Sequence, residues 1–309
     1  MIAALAFVAL LIELGAYGAA AAWLRHAAGV PVLASGLVAA FVFIALRVAV
    51  VAVSCALARR WRAATSVPLA PAEFLQQVAR ETRAFLRLFV LAPVLQAWLA
   101  PRDPDRTVQG VAPVLLVHGL YCNAGVWQPQ LVHLRQKGVA NLFCINLGPP
   151  LASIDVFARQ LDERVDEVRR ACGTSKVIIV AHSLGGLAAR AWCARLGGSS
   201  RLARLVTIGT PHHGSRLAPL VVGTCAAEMV PGSEWLLQLE ADERRAPALP
   251  LTCILSRHDS MVAPQDSALL AGASVLALDR LGHFDLLLDP VVHRQVASEI
   301  AAARSGCPS

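Results

Sequence analysis

The sequence predicts an α/β domain, a mostly parallel sheet covered by helices, carried behind a helical hairpin of membrane-crossing length. Three observations predict it. From Val111 onward, short β-branched runs alternate with amphipathic helical segments, the pattern of a buried parallel sheet. One run, Val177–Val180, closes on Ala181-His182-Ser183-Leu184-Gly185-Gly186, a strand, sharp turn and helix with serine at the turn. At the front, two long apolar stretches each contain a single charge, Glu13 in Ile2 to Leu24 and Arg47 in Val32 to Ala58.

The apolar front accounts for the composition. Of 309 residues, 56% are apolar, and the mean hydropathy of +0.56 is high for a wholly soluble enzyme. Each stretch can cross a bilayer core of about 30 Å as a helix rising about 1.5 Å per residue. Arg25 to Pro31 makes the turn between them, so residues 1–62 are expected to form a transmembrane hairpin. A secretory signal peptide fits the first stretch poorly, because no basic residue precedes it and a second apolar stretch follows. Glu13 and Arg47 are costly in lipid and are expected to face each other or protein, the alternative for Arg47 being to snorkel. Arg59, Arg60 and Arg62 follow the second stretch, against Arg25 in the turn. That bias puts the N-terminus and the downstream domain on the cytoplasmic side, a periplasm-facing domain being the alternative. A net charge of +7 suits an anionic membrane surface. Nucleic-acid binding has no recognition motif to support it.

Residues 63–110 read as a helical connector. Pro71-Ala72-Glu73 looks like a helix start, and Phe74, Val78, Phe85 and Leu88 give it an apolar face. Phe85 to Ala100 continues mostly apolar, with a kink expected at Pro93, as an interfacial helix or as a cover for the next domain. Pro101 to Arg106 is a linker by composition, which sets the boundary of a domain at 111–304. Within it, strands are expected at Pro113–Val117, Leu142–Asn146, Val177–Val180, Leu205–Ile208, Leu251–Leu255 and Ser274–Leu278. Helices are expected at Val126–Lys137, Ile154–Cys172, Leu187–Arg195 and Pro290–Arg304. Ile154, Phe157, Leu161, Val165 and Val168 mark the second of these as amphipathic.

The small residues around Ser183 have a steric purpose. The turn forces serine into a strained backbone, and bulk two positions away on either side would strike the neighbouring strand and helix. Ala181 stands where the strict pattern has glycine, the smallest possible departure. The bland alternative is an ordinary strand-to-helix turn with Ser183 as a cap. Two strand exits remain downstream, and each offers a partner: Asp259 after Leu251–Leu255 and His283 after Ser274–Leu278. Ser183 would attack a carbonyl, His283 take and return the proton, and Asp259 hold the imidazole tautomer. His258 precedes the acid and breaks the order. Asp279 and Asp285 are rival acids, each close to His283 in sequence and better suited to shaping its loop. Backbone N–H groups of Leu184 and Leu120 are the candidates for an oxyanion hole. His118 and Gly119 would shape the loop holding Leu120.

Five segments carry a closer resemblance: Val114–Leu120, Ala181–Arg190, Thr207–Ser215, Ser256–Val262 and Gly282-His283. In that order they resemble the bacterial triacylglycerol lipase and esterase group of the α/β-hydrolase superfamily, its membrane-anchored lipase-like members in particular, over about residues 111 to 300. The resemblance implies an α/β-hydrolase fold with Ser183, Asp259 and His283 as triad and Leu120 and Leu184 at the oxyanion positions. It also implies that His118, Gly119, His182, Gly185, Pro211 and His212 border the site, and that the membrane is a bacterial inner membrane. Family members often bind a structural calcium, but no carboxylate cluster here matches such a site.

Residues 215–248 have the weakest strand signal in the domain and are expected to form a helical lid or cap, its apolar residues lining an acyl groove, meeting the bilayer or simply packing on the core. The expected function is a serine ester hydrolase, a lipase or carboxylesterase, acting on lipid or other apolar esters. An acyltransferase or deacylase on a lipid-linked substrate, or a silent membrane scaffold of the same fold, are the alternatives. No cofactor, metal, nucleic acid or partner protein is called for: the eight cysteines form no C-x-x-C pair and no H-E-x-x-H occurs.

Overall fold

A computed structural model of the chain describes residues 2–63, 66–91 and 101–305, with side chains from residue 11 onward. Two long helices come first, α1 (Ile2–Ala28) and α2 (Val32–Arg60). They lie side by side and antiparallel: Tyr17 meets Phe43 edge-on, and Arg47 forms a two-pronged ion pair with Glu13. The pairing follows from chemistry, since each is the lone charge of an apolar stretch, Ile2 to Leu24 and Val32 to Ala58, and the other's nearest compensation. By length and composition α2 is apolar enough to cross a membrane, with a mean hydropathy of 2.6 over its most apolar 18 residues.

Helix α3 (Pro71–Phe85) has proline in its first turn and a Glu73 carboxylate accepting from Ala70 N–H, both N-terminal devices. It continues into a π-helical turn, Leu86–Leu91. There Phe89 stacks on Phe85 and packs edge-on against Phe284, covering the domain behind it. The expected continuation to Ala100 and the Pro93 kink lie outside the described residues.

Six strands follow, all parallel and in the order β2-β1-β3-β4-β5-β6: β1 Val114–Val117, β2 Leu142–Ile145, β3 Val177–His182, β4 Leu202–Ile208, β5 Leu251–Ser256 and β6 Ser274–Leu278. Strands β1, β3 and β5 are buried throughout, which is why they read as unbroken β-branched and leucine runs and not as alternation. The covering helices are α4 (Gln128–Gln136), α5 (Ile154–Cys172), α6 (Leu184–Arg195) and, last, α9 (Pro290–Ser305). Apolar side chains fill both faces of the sheet. One layer joins Leu115, Ile179 and Leu205 to α5 and α6, and the other joins Leu116, Ile178 and Val206 to α4 and α9. Each fully buried aliphatic side chain is worth about 1.5–3 kcal/mol.

Between β4 and β5 the chain makes a short 3-10 turn, α7 (Thr224–Glu228) and α8 (Glu234–Glu243). Elements differ from expectation mainly at their ends. The helix after the Ser183 turn starts at Leu184 and not Leu187, because the turn leads into it without a break, and β4 begins three residues early by pairing with the start of β3. The expected Val126–Lys137 helix begins as a 3-10 turn, Ala124–Trp127, capped by Asn123.

Candidate active site

The carboxyl ends of β1, β3, β4, β5 and β6 converge on one rim, and the residues singled out in sequence meet there. Pairing puts Val117, Ala181 and Thr207 in register, so the next residues of β1, β3 and β4 emerge side by side. Ser183 sits at the tip of the turn with φ 53° and ψ −127°, a conformation that L-residues avoid unless neighbours enforce it. Here Ser183 N–H donates to Ile208 O (2.9 Å), and Thr210 Oγ1 donates to Ser183 O (2.9 Å). The small residues are required by contact. A Cβ on Gly185 would lie 2.6 Å from His118 O, and one on Gly119 would lie 2.8 Å from Ser183 Cβ. Ala181 is fully buried between Val117 and Thr207, so a methyl group fits where the strict pattern has none.

His283 follows β6 with its Nδ1 against the Asp259 carboxylate, 2.9 Å from Oδ2 and 3.1 Å from Oδ1. Both residues are buried. Asp259 Oδ1 also accepts from the N–H groups of Met261 and Val262, at 2.8 Å each. With Nδ1–H committed to Asp259, Nε2 is the nitrogen left to take a proton, and His283 and Ser183 both line one cavity. Burial pulls the His283 pKa down. The Asp259 charge and hydrogen bond outweigh it, the Glu81 charge adds to them, and the net displacement is upward from 6.5. Leu184 is the first residue of α6, where helix N–H groups point outward and the dipole favours an anion. Leu120 lines the cavity beside it. Among the described residues neither N–H is given to another backbone acceptor.

The cavity holds about 360 Å³ and is overwhelmingly apolar, within the size range of small-molecule sites, roughly 300–1,000 Å³. Among the described residues there is no cluster of ligating side chains suited to a metal ion.

Part of the chain is similar to known proteins. Residues 112–238 match the alpha/beta hydrolase fold family. Over 121 residues the chain is 36% identical to a triacylglycerol lipase of Pseudarthrobacter phenanthrenivorans and 36% identical to one of Burkholderia plantarii. It spans about a third of those relatives, 36% and 32% of their lengths, through 35% of its own. Among solved structures, the mature lipase of Bacillus licheniformis superimposes with a TM-score of 0.57 at 18% identity, covering 64% of this chain and 96% of that one. Lipase B of Aspergillus fumigatus gives 0.56 at 19%, covering 65% and 55%. The domain has the α/β-hydrolase fold. Its similarity is to the lipase and esterase group.

Around Ser183, Asp259 and His283, the other singled-out residues have separate places. His118 is buried, with Nδ1 bonded to Gly119 O (2.8 Å) and Nε2 accepting from Leu147 N–H (3.0 Å). Burial lowers its pKa to about 4, partly opposed by the Gly119 carbonyl. His182 is buried beneath His283, its Nε2 3.4 Å from His283 O. Burial, with the neighbouring His283 charge, holds it neutral, well below 6.5. Pro211 lines the cavity, whereas His212 lies behind it, bonded to Thr207 Oγ1 (3.1 Å). His258 faces away, held by Val67 O and the N–H of Arg280. Asp279 pairs with Arg257 and Asp285 with Arg80, so neither rival carboxylate touches His283.

Two residues that support the site carried no motif. Glu81, from α3, is buried under the histidine loop. It accepts from Ser260 Oγ (2.5 Å), Phe284 N–H (3.1 Å) and Asp285 N–H (2.9 Å), while Ser260 Oγ accepts from His283 N–H (3.2 Å). Gly282 is forced by it, since a Cβ there would lie 2.2 Å from Glu81 Oε2. Burial raises the Glu81 pKa against these hydrogen bonds. A signal existed: Glu81 falls at helical spacing on the Phe74, Val78, Phe85 face, where a carboxylate is out of place. The second is Arg190, fully buried on α6, paired through two nitrogens with Glu243 of α8 and donating to His212 O (2.7 Å).

Proposed function

We propose that this chain is a serine carboxylic-ester hydrolase of the lipase and esterase type, held in a bacterial inner membrane by the α1–α2 hairpin, with its catalytic domain on the cytoplasmic face. One observation carries the reading: His283, bonded to Asp259 on one side, opens with strained Ser183 onto an apolar cavity. The lipases among the similar proteins support a lipid ester as substrate.

The chemistry follows from the positions. Ser183 Oγ attacks the ester carbonyl as its proton passes to His283 Nε2, and Asp259 stabilises the imidazolium. The N–H groups of Leu120 and Leu184 receive the negative oxygen of the tetrahedral intermediate. Its collapse expels the alkoxide, which takes the proton back from His283 and leaves an acyl group on Ser183. Water, deprotonated by His283, then frees the acid. Residues 215–248, lying over the site between β4 and β5, serve as the cap on the acyl chain.

The test is turnover of p-nitrophenyl esters of increasing acyl length by the full chain in detergent. Ser183→Ala and His283→Ala should each lower turnover by several orders of magnitude, and the double variant should be scarcely worse, because the two act as one unit. A folded Ser183→Ala with wild-type turnover would end this reading.

A further inference from the structure

Hairpin and hydrolase domain are separate units along the sequence, but the cavity beside Ser183 belongs to both. Val50, Val51 and Ser54 of α2 line it. Ser54 Oγ donates to Ser260 O (2.5 Å), on the loop that carries Asp259, and lies 3.3 Å from Sδ of Met261, another lining residue. Val51 is buried against Val78 and Phe85, whereas its neighbour Val50 is 54% exposed. The same turn of helix therefore faces the cavity and the outside.

Position along α2 matters as much. Its 29 residues make a helix of about 43 Å, against a hydrocarbon core of about 30 Å. Counted from Val32, the core ends at about residue 52, where Val50 and Ser54 are, and Arg59 and Arg60 reach the headgroups. Lipid ester bonds lie at that depth. The rim of the cavity is also apolar outward: Leu220 and Val222 are 68% and 71% exposed. Tyr121, which lines the cavity, donates its hydroxyl to Val222 O (2.5 Å), joining rim to mouth. Large apolar side chains grouped outward beside an opening mark a surface meant for contact.

We propose that α2 is a wall of the acyl-binding site, and that the substrate is a long-chain acyl ester resident in the bilayer. It enters sideways from the leaflet along Val50, its chain staying beside α2 while its carbonyl reaches Ser183. Val50, Val51 and Ser54 then set the acyl length accepted. This rests on the hydrolase reading above and deepens it.

The experiment uses full-length protein in phospholipid vesicles and alkyl fluorophosphonates with short and long chains, the long one ending in a diazirine. Ser183 Oγ displaces fluoride and retains the phosphonyl group, so labelling reports the nucleophile, and light then reports where the chain lies. Crosslinks are expected in the α2 segment around Val50 to Ser54. Val50→Trp, at a site with room for the ring, should lower the ratio of long-chain to short-chain labelling rates at least tenfold. Val42→Trp, exposed on the same helix and away from the cavity, should keep the wild-type ratio. Crosslinks that avoid α2, or an unchanged ratio in Val50→Trp, would overturn the wall while leaving the hydrolase. Failure of both probes to label Ser183 would remove the hydrolase, and the wall with it.

Discussion

At the scale of single residues, the site depends on how His283 is held. Its pKa is displaced upward from 6.5, and in the proposed reaction its neutral form is the base, so kcat/KM should fall as pH drops through a value above 6.5. A pH profile with an acid limb centred below 6 would contradict this. Glu81 enters the same profile as a positioning residue, since its charge supports the imidazolium and its oxygens hold the loop. Glu81→Gln removes the charge while its amide oxygen, placed as Oε2, still accepts from Phe284 and Asp285 N–H, and its NH2 group meets the Ser260 hydroxyl that donates to Glu81 Oε1. The acid limb should move to lower pH and kcat should fall; a profile superimposable on wild type would mean that Glu81 only fills space. Asp259→Asn should cost far more turnover than Asp285→Asn, because Asp285 is bonded to Arg80 and not to His283. The reverse order would reassign the acid.

At the scale of elements, the Arg190–Glu243 pair ties the helix that follows Ser183 to α8, between β4 and β5. Arg190 is fully buried and Glu243 largely so. Breaking such a pair from one side leaves an uncompensated buried charge, at about 3 kcal/mol. Glu243→Gln should therefore lower the apparent Tm by roughly 5–10 °C, measured by circular dichroism. It should also loosen the Thr210–His213 turn, whose His212 carbonyl Arg190 holds. An unchanged Tm would show that the pair contributes no net stability.

At the scale of the whole molecule, the N-terminal helices and the α/β domain are built into each other. Ala58 packs with Leu217 and Ala263, Gln265 bonds to Ala63 N–H, and Ser66 bonds to Arg257 O, so the end of α2, with Ala63 and Ser66 beyond it, braces the loop of Asp259. The full chain should stay with membranes after a carbonate wash, and a reporter fused at Ser309 should register cytoplasm. Recovery of the full chain as a soluble protein without detergent would rule out the anchor, and a periplasmic signal would reverse its orientation. Acid should unfold the domain early. His118 is buried neutral with its pKa lowered to about 4, so the stability it protects is complete above pH 6.5 and lost as pH falls toward 4. A shift of that size is worth about 3 kcal/mol. Tm should decline steadily below pH 6.5, and His118→Gln should flatten the decline.

What the sequence determined by itself is what short-range pattern can encode. Buried parallel strands must be apolar without alternation, a strained turn between strand and helix must have small neighbours, and an acid and a histidine must follow later strands. These rules mark β3, the Ser183 turn, Asp259 and His283 in the sequence alone. Glu13 and Arg47 were legible as partners because two lone charges on apolar helices have few alternatives. The tertiary structure decided the rest. Glu81 lies more than 200 residues from the Phe284 N–H it accepts from, and Ser54 is equally far from the Ser260 carbonyl to which it donates. No local periodicity records which distant backbone group a buried carboxylate or hydroxyl will meet. That choice is made only when α2 and α3 pack against the sheet rim, which brings Ser54 and Glu81 to the loops around Asp259 and His283.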